Sequence, residues 1–300
     1  MKTTIVGILS SLLLCSSLFA ADPALKSAPM QFQRNALQEL PSNGETVADM
    51  MRSIRLQRQQ QGKIGPNVIS VDSEASSFLI PAAGSVGGAN GTYFRSDVTL
   101  ANRRSTAQII QVGWIARGVN NASAPTQRFS INPNTTTFEN DFVNRILGKS
   151  GLGSILVLAV DSAGNADSGA LIDGFSRIWT PQPGSSGTVS QEFSSVDVKD
   201  SLADSYGYGL RQDASYRTNV GLVNLYDTPQ TFTINVVGFT TNTSFTQTVQ
   251  PYSMEQVPLP AGNYGDLYIR VASGPNLNWW SAYGTSVDNI TGDGWVSHVH

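Results

Sequence analysis

Cysteine is almost missing from this chain of 300 residues: Cys15 is the only one. It directly follows an apolar run, Ile5 to Leu14, that comes after Lys2 and leads into small residues ending at Ala20-Ala21. A basic start, a short apolar stretch and a small-residue site read together as a secretory signal peptide cut after Ala20. The run is too short to cross a bilayer, which takes about 20 apolar residues. Leu14 is too bulky to precede a lipidated cysteine, so a soluble, cleaved form is expected. The mature chain then has no thiol, which excludes disulfides and thiolate metal sites. Export without cystines favours a bacterial periplasmic or secreted protein. The Asn-x-Ser/Thr sequons at Asn90, Asn121, Asn134, Asn242 and Asn289 then read as accidents of composition.

Histidine is nearly as scarce, with only His298 and His300. A Ser-His-Asp triad would need one of them, and no Gly-x-Ser-x-Gly elbow is present. A zinc site would lack its further His or Cys ligands. Charge is sparse as well, at 14% of residues, with a formal net charge of −3. No basic block stands out, so nucleic acid is not an expected partner. No transmembrane span is expected once the signal is removed. These absences argue against an enzyme.

What the chain does have is Gly, Ser, Thr and Asn in quantity, the composition of strands and turns. Residues 22–43 are polar, contain three prolines and show no sustained period, so they read as a mobile leader. Val47, Met50, Met51, Ile54 and Leu56 approach helical spacing, which predicts a packing or tether helix from Glu45 to about Gly62, stopped by Gly65-Pro66. From about Ile69 the period becomes two. Phe94, Ser96, Val98, Leu100 and Asn102 share one strand face, and Ile110, Val112, Trp114 and Ala116 alternate likewise. Ser154 to Asp161 is apolar at nearly every position, as a strand covered on both faces would be.

An internal repeat organises these strands. Phe94-Arg-Ser-Asp-Val-Thr-Leu-Ala-Asn102 returns as Tyr216-Arg-Thr-Asn-Val-Gly-Leu-Val-Asn224, and Thr106-Ala-Gln108 returns in step as Thr228-Pro-Gln230. Further on, Gly153-Ser-Ile-Leu-Val parallels Gly265-Asp-Leu-Tyr-Ile, and Gly174 to Trp179 falls opposite Ala282 to Val287. Collinear matches in one order indicate two copies of one unit. Short strands with frequent turns, and a short helix over Asn140 to Gly148, predict an all-β chain. The expected fold is two tandem antiparallel immunoglobulin-like β-sandwiches after a short N-terminal helix. The expected plan is a signal peptide over 1–20, leader and helix over 21–68, and sandwiches over 69–198 and 199–300.

The run Ile80-Pro-Ala-Ala-Gly84, then Gly88-Ala-Asn-Gly-Thr-Tyr-Phe-Arg-Ser-Asp97, resembles the opening of immunoglobulin-like tandem β-sandwich modules in secreted bacterial proteins. Phe175-Ser-Arg-Ile-Trp179 with Gly187-Thr-Val-Ser-Gln191 resembles their closing hairpin, and Ala282 to Asp293 is similar to its terminal variant. The resemblance covers roughly residues 75–300. It implies a sandwich fold and export, and it brings no catalytic residues.

Several constellations remain. Leu147-Gly-Lys-Ser150 hints at a phosphate loop, but Val143 stands where a glycine is required. Asp161, Asn165 and Asp167 share one hairpin, and Asp288, Asn289 and Asp293 another. Such oxygens suit calcium, yet Asp and Asn are equally the ordinary residues of turns, and neither run has the alternating spacing of a calcium loop. No other cofactor is expected. Glu192, Asp197, Asp200 and Asp204 cluster between the copies and read as a solvated linker. Arg95 and Arg217 repeat at equivalent strand starts, which favours one structural role over two sites. Trp279, Trp280 and Tyr283 are the leading binding candidates. Period two sends the two tryptophans to opposite faces, so one enters the core and the other either meets a ligand or is covered by the first copy or the helix. The favoured functional expectation is protein recognition of an adhesion or assembly type, through sandwich-end loops or an exposed strand edge. A carbohydrate-binding module is the alternative, and a secreted hydrolase the third.

Overall fold

The computed structural model describes residues 29–60, 76–88, 91–182, 184–198, 204–274 and 279–299. The expected signal peptide, the helix stop at Gly65-Pro66, Asp200 and His300 lie outside the described residues.

Among the described residues the chain is all-β apart from helix α1 (Val47–Gln60) and one π-helical turn, Phe142–Ile146, inside the segment where a short helix was expected. The leader contributes β1 (Gln31–Arg34) and β2 (Gln38–Leu40). The first copy contains β3 (Ser77–Gly87), β4 (Tyr93–Asn102), β5 (Gln108–Ala116), β6 (Gln127–Ile131), β7 (Thr135–Glu139), β8 (Gly151–Val160), β9 (Ile172–Pro181), β10 (Thr188–Ser194) and the short β11 (Val196–Asp197). The second contains β12 (Asp204–Gln212), β13 (Tyr216–Asn224), β14 (Gln230–Gly238), β15 (Asn242–Val249), β16 (Ser253–Pro258), β17 (Gly265–Ser273), β18 (Trp280–Asp288) and β19 (Gly294–His298).

Both copies have one wiring. Layer β3-β8-β5-β6 and layer β7-β4-β9-β10 correspond strand for strand to β12-β17-β14-β15 and β16-β13-β18-β19. In the first copy the end of β3 also pairs with β4, so one sheet folds over into two layers. The pairings β4–β7 and β5–β8 match the B–E and C–F pairs of an immunoglobulin core. Strand β3 takes the place beside β8 where strand G would stand, and β9 takes the place beside β4 where strand A would stand.

The registers refine the repeat. Arg95 faces Trp179 and Arg217 faces Val287, so the closing match of Gly174–Trp179 with Ala282–Val287 is in true register. The match of Gly153 with Gly265 is not. Trp114 faces Ile155 while its counterpart Val236 faces Ile269, which makes Gly151 the equivalent of Gly265. Both of these glycines have positive φ, 92° and 66°. A slip of two residues keeps every side chain on its own face, so alternation alone cannot detect it.

A buried asparagine clamps the same corner in each copy. The Asn102 amide donates to the carbonyls of Thr106, Ile131 and Asn132 at 2.8, 3.3 and 3.0 Å. The Asn224 amide donates to Thr228, Val249 and Gln250 at 2.9, 3.2 and 2.9 Å. Each side-chain carbonyl accepts the amide two residues on, from Arg104 or Tyr226. One side chain thereby satisfies three carbonyls that leave the ladders at two adjacent turns.

Strand β8 is buried along Gly153–Val160 on both faces. Its inward residues Ile155 and Val157 meet Trp114 and Val112 across β5, inside the sandwich. Its outer face, with Leu156 beside Gly113, receives helix α1: a Cβ on Gly113 would lie 3.2 Å from Val47 and 3.4 Å from the Met50 sulfur. Val47, Met50, Met51 and Ile54 are completely buried. Leu56, grouped with them by spacing, is 52% exposed, because it projects roughly opposite Ile54 around the helix. Thr46 caps the helix by accepting the Asp49 amide, and Asp49 accepts the Thr46 amide in return. Arg58 near its end is ion-paired with Asp197 on β11.

The second copy covers the rest of that face. Val223, Leu225, Tyr252, Met254 and Tyr283 belong to the same apolar cluster as β8 and α1. Gly118 donates its amide to the Met254 carbonyl, the Asn121 side chain donates to Tyr252, and Arg117 pairs with Glu255 at 2.9 Å. Tyr283 lies across Gly221, its ring edge-on to Phe193 of the first copy at 5.1 Å. Thr99 and Phe175 hold those two places in the first copy.

The leader is a correction. Residues 31–40 hold two strands, with β1 parallel to β7 and β2 antiparallel to β6. Between them, buried Glu139 accepts the amides of Ala36 and Leu37 at 2.8 and 3.0 Å. Segments of three or four residues are too short to show a period, and the free edges of β6 and β7 supply what order they have.

Two substitutions and one control test this frame. Gly221→Ala would place a Cβ 2.0 Å from the buried Tyr283 ring. A loss of about 1–3 kcal/mol is expected, read as a lower urea midpoint. Gly87→Ala, with nothing within 4 Å, is expected to leave the midpoint unchanged. Asn224→Asp sets an acceptor against three carbonyls and is expected to cost about 2–4 kcal/mol, whereas an unchanged midpoint would remove the clamp from the account.

Candidate functional site

The sequence candidates are placed as follows. Trp280 is buried in the second core, edge-on to Phe232 at 5.6 Å. Tyr283 is fully buried at the junction, its hydroxyl 3.1 Å from Gln256 Oε1, and burial pushes its phenol well above the ordinary value. Trp279 is half-buried under the guanidinium of Arg55 from α1, at 5.6 Å from its ring centroid. The two tryptophans therefore do face opposite ways, one into the core and one towards the helix. Trp280 and Tyr283 are buried, and Trp279 carries the Arg55 guanidinium over its ring.

The carboxylates of Asp161, Asp167 and Asp288 are engaged by neighbouring groups. Asp161 accepts the side-chain and backbone N–H groups of Asn165, which hold its carboxyl below the usual range. Asp167 pairs with Arg104 at 2.5 Å and accepts the Gly169 amide. Asp288 accepts the amides of Thr291 and Ile290. Asn289 receives Arg217, and Asp293 donates its amide to the Thr291 hydroxyl. Among the described residues, no three His, Cys, Asp or Glu side chains converge as metal ligands would. Arg95 pairs with Asp141 at 3.7 Å and lies over Tyr93, so both repeated arginines tie down neighbouring turns. Asp204 pairs with Arg270 at 2.5 Å.

The open site lies elsewhere, at one end of the second sandwich. Strand β12 bulges at Tyr208-Gly209, opposite a single residue of β17. Gly209 has φ of 70°, which a side chain would resist. The bulge turns Tyr208 outward, 63% exposed. Its ring lies within 7° of parallel to that of Tyr206 at 6.1 Å, and Tyr268 completes the cluster at 5.8 Å from Tyr208. Across the bulge, Trp295 donates its indole N–H to the Gly209 carbonyl at 2.7 Å, which fixes the ring. Tyr216 stands edge-on to Trp295 at 5.8 Å, with the Arg211 guanidinium 4.5 Å from the Tyr216 centroid. Asp213 holds Arg211 at 2.6 Å, and this bond keeps the Asp213 carboxyl below the usual range. Tyr208, Tyr268, Trp295, Tyr216 and Arg211 line a groove of about 600 Å³ with Phe239, 92% exposed, and Asp266.

The first copy shows that the fold does not require these rings. In equivalent registers Tyr208, Tyr268 and Trp295 become Pro81, Ser154 and Gln191. Aligning the copies in register was the signal that could have found this site. Without that register, Tyr206-Gly-Tyr208 reads as an ordinary alternating strand.

No family model matches the chain, and a search of curated proteins returns no significant relative.

The turn acids yield a pH prediction. Asp288 has its carboxyl lowered by the amides of Thr291 and Ile290, so its folded pKa is below the unfolded one. Its contribution is then complete above the ordinary value, about 4, and fades only as pH falls through the lowered folded value. In an NMR titration the Ile290 and Thr291 amide shifts are expected to hold at pH 4 and move below it. A midpoint at the ordinary value would contradict the hydrogen bonds.

Proposed function

We propose that the chain is an exported, non-catalytic recognition module whose ligand is a carbohydrate, taken at the aromatic groove of the second sandwich. The observation that carries this reading is the set of exposed rings, Tyr208, Trp295 and Phe239, with half-buried Tyr268 beside them, on a frame whose sister copy has no ring in place of Tyr208, Tyr268 and Trp295. Aromatic faces are costly to leave in water and stack on the C–H faces of sugar rings. Arg211 and Asp266 add the few polar groups such a site uses for orientation. Export rests on the signal-like segment over 1–20, and a periplasmic or extracellular location follows from it. The non-catalytic reading rests on a chain with two histidines, no mature thiol and turn acids engaged by their own backbone.

The test is a glycan array on the mature chain, residues 21–300, followed by calorimetry with the best ligand. Tyr208→Ala and Phe239→Ala, both at exposed rings, are expected to weaken binding about ten-fold each, with the melting temperature unchanged. Trp279→Phe should leave affinity intact. A folded chain that binds no glycan, or binding indifferent to Tyr208 and Phe239, would contradict the proposal.

A further inference from the structure

The two copies differ in what covers their edges. In the first, the edge of β6 is paired with β2 and the edge of β7 with β1. In the second, β16 lies against Arg117-Gly118, bridged in the parallel sense at Met254. Strand β15, the counterpart of β6, has no backbone partner on its far side among the described residues.

Strand β15 also lacks the usual protections of an edge. Its eight residues, Asn-Thr-Ser-Phe-Thr-Gln-Thr-Val, hold no charge and no proline. Its register with β14 runs unbroken from Asn242 to Val249, without a bulge. Natural edges are commonly blunted by lysine, proline or a bulge. The Gly238 amide donates to the Thr241 carbonyl at 3.1 Å, which closes the hairpin. Antiparallel alternation from that pair turns the backbone groups of Ser244, Thr246 and Thr248 outward. The Thr231 and Thr248 hydroxyls, 2.8 Å apart, fit the closer approach of a non-hydrogen-bonded pair.

We propose that β15 is a self-association edge: two copies of this chain pair β15 with β15 antiparallel across a two-fold axis. Each four-stranded layer β12-β17-β14-β15 then continues into its partner's. A second copy fits because an uncharged strand meets itself without like-charge repulsion, and its threonines and serine can pair across the seam. The fold already accepts an antiparallel strand at the equivalent place, where β2 lies on β6 with Gln38 opposite Ser130. The inference is independent of the groove and its ligand.

Sedimentation velocity on the mature chain, residues 21–300, tests it with two variants. Thr246→Pro removes an outward N–H and leaves the ladder to β14 intact, and Thr246→Lys sets like charges close across the seam. The expected result is a concentration-dependent dimer that both variants return to monomer at an unchanged melting temperature. In the dimer, the amides of Ser244, Thr246 and Thr248 should gain protection from hydrogen exchange. A chain that stays monomeric up to about 1 mM, a concentration at which even a weak contact would register, would overturn the inference. So would a dimer that survives both substitutions.

Discussion

The layer β3-β8-β5 is apolar on both sides, and that constraint organises the rest of the molecule. One side closes on its own sandwich through Phe78, Ile155 and Val112. The other, with Leu79, Leu156 and Gly113, would be a large exposed apolar patch if left alone, which soluble proteins avoid. Helix α1 and the second sandwich cover it together. Gly113 lets Val47 and Met50 approach the sheet, and Gly221 lets Tyr283 lie flat on the sheet that docks there. The outcome is a stack in which the first copy's layer is sealed and the second copy's equivalent layer is left outermost.

The two sandwiches share one frame and differ at their surfaces. The clamps at Asn102 and Asn224, the bulges at Pro81-Ala82 and Tyr208-Gly209, and the left-handed turn residues Asn134 and Tyr252 are the shared frame. Divergence lies on the outer faces. Leu79 and Leu156 of the covered layer become Tyr206 and Arg270 in the open one. The solvated face of an antiparallel sheet is expected to be polar. Here that face also carries aromatic rings, which stability alone does not explain.

Much of this was legible in the residues. Alternation located the strands, the repeated nonapeptide located β4 and β13, and the apolar run over β8 announced a strand covered twice. The adjacent tryptophans at 279 and 280 divided between faces as period two requires. Other features could not be read locally. The slip between Gly153 and Gly265 preserves alternation, so only cross-strand partners reveal it. β1 and β2 are ordered by edges far away in sequence, a tertiary effect without a local signature. The groove needed both register and three-dimensional closure, because Tyr208, Tyr216, Phe239 and Trp295 come from four separate strands or turns.

The outer face of β8 makes the helix and both sandwiches one cooperative unit. Native-state hydrogen exchange measures this directly, by following the β8 amides and those of β13 and β16 as denaturant rises. The account predicts that both sets merge into a single global opening with one free energy and one denaturant dependence. If β13 and β16 instead opened at lower free energy while β8 stayed protected, the first sandwich would stand with its outer face bare. The helix and the two sandwiches would then not form one cooperative unit.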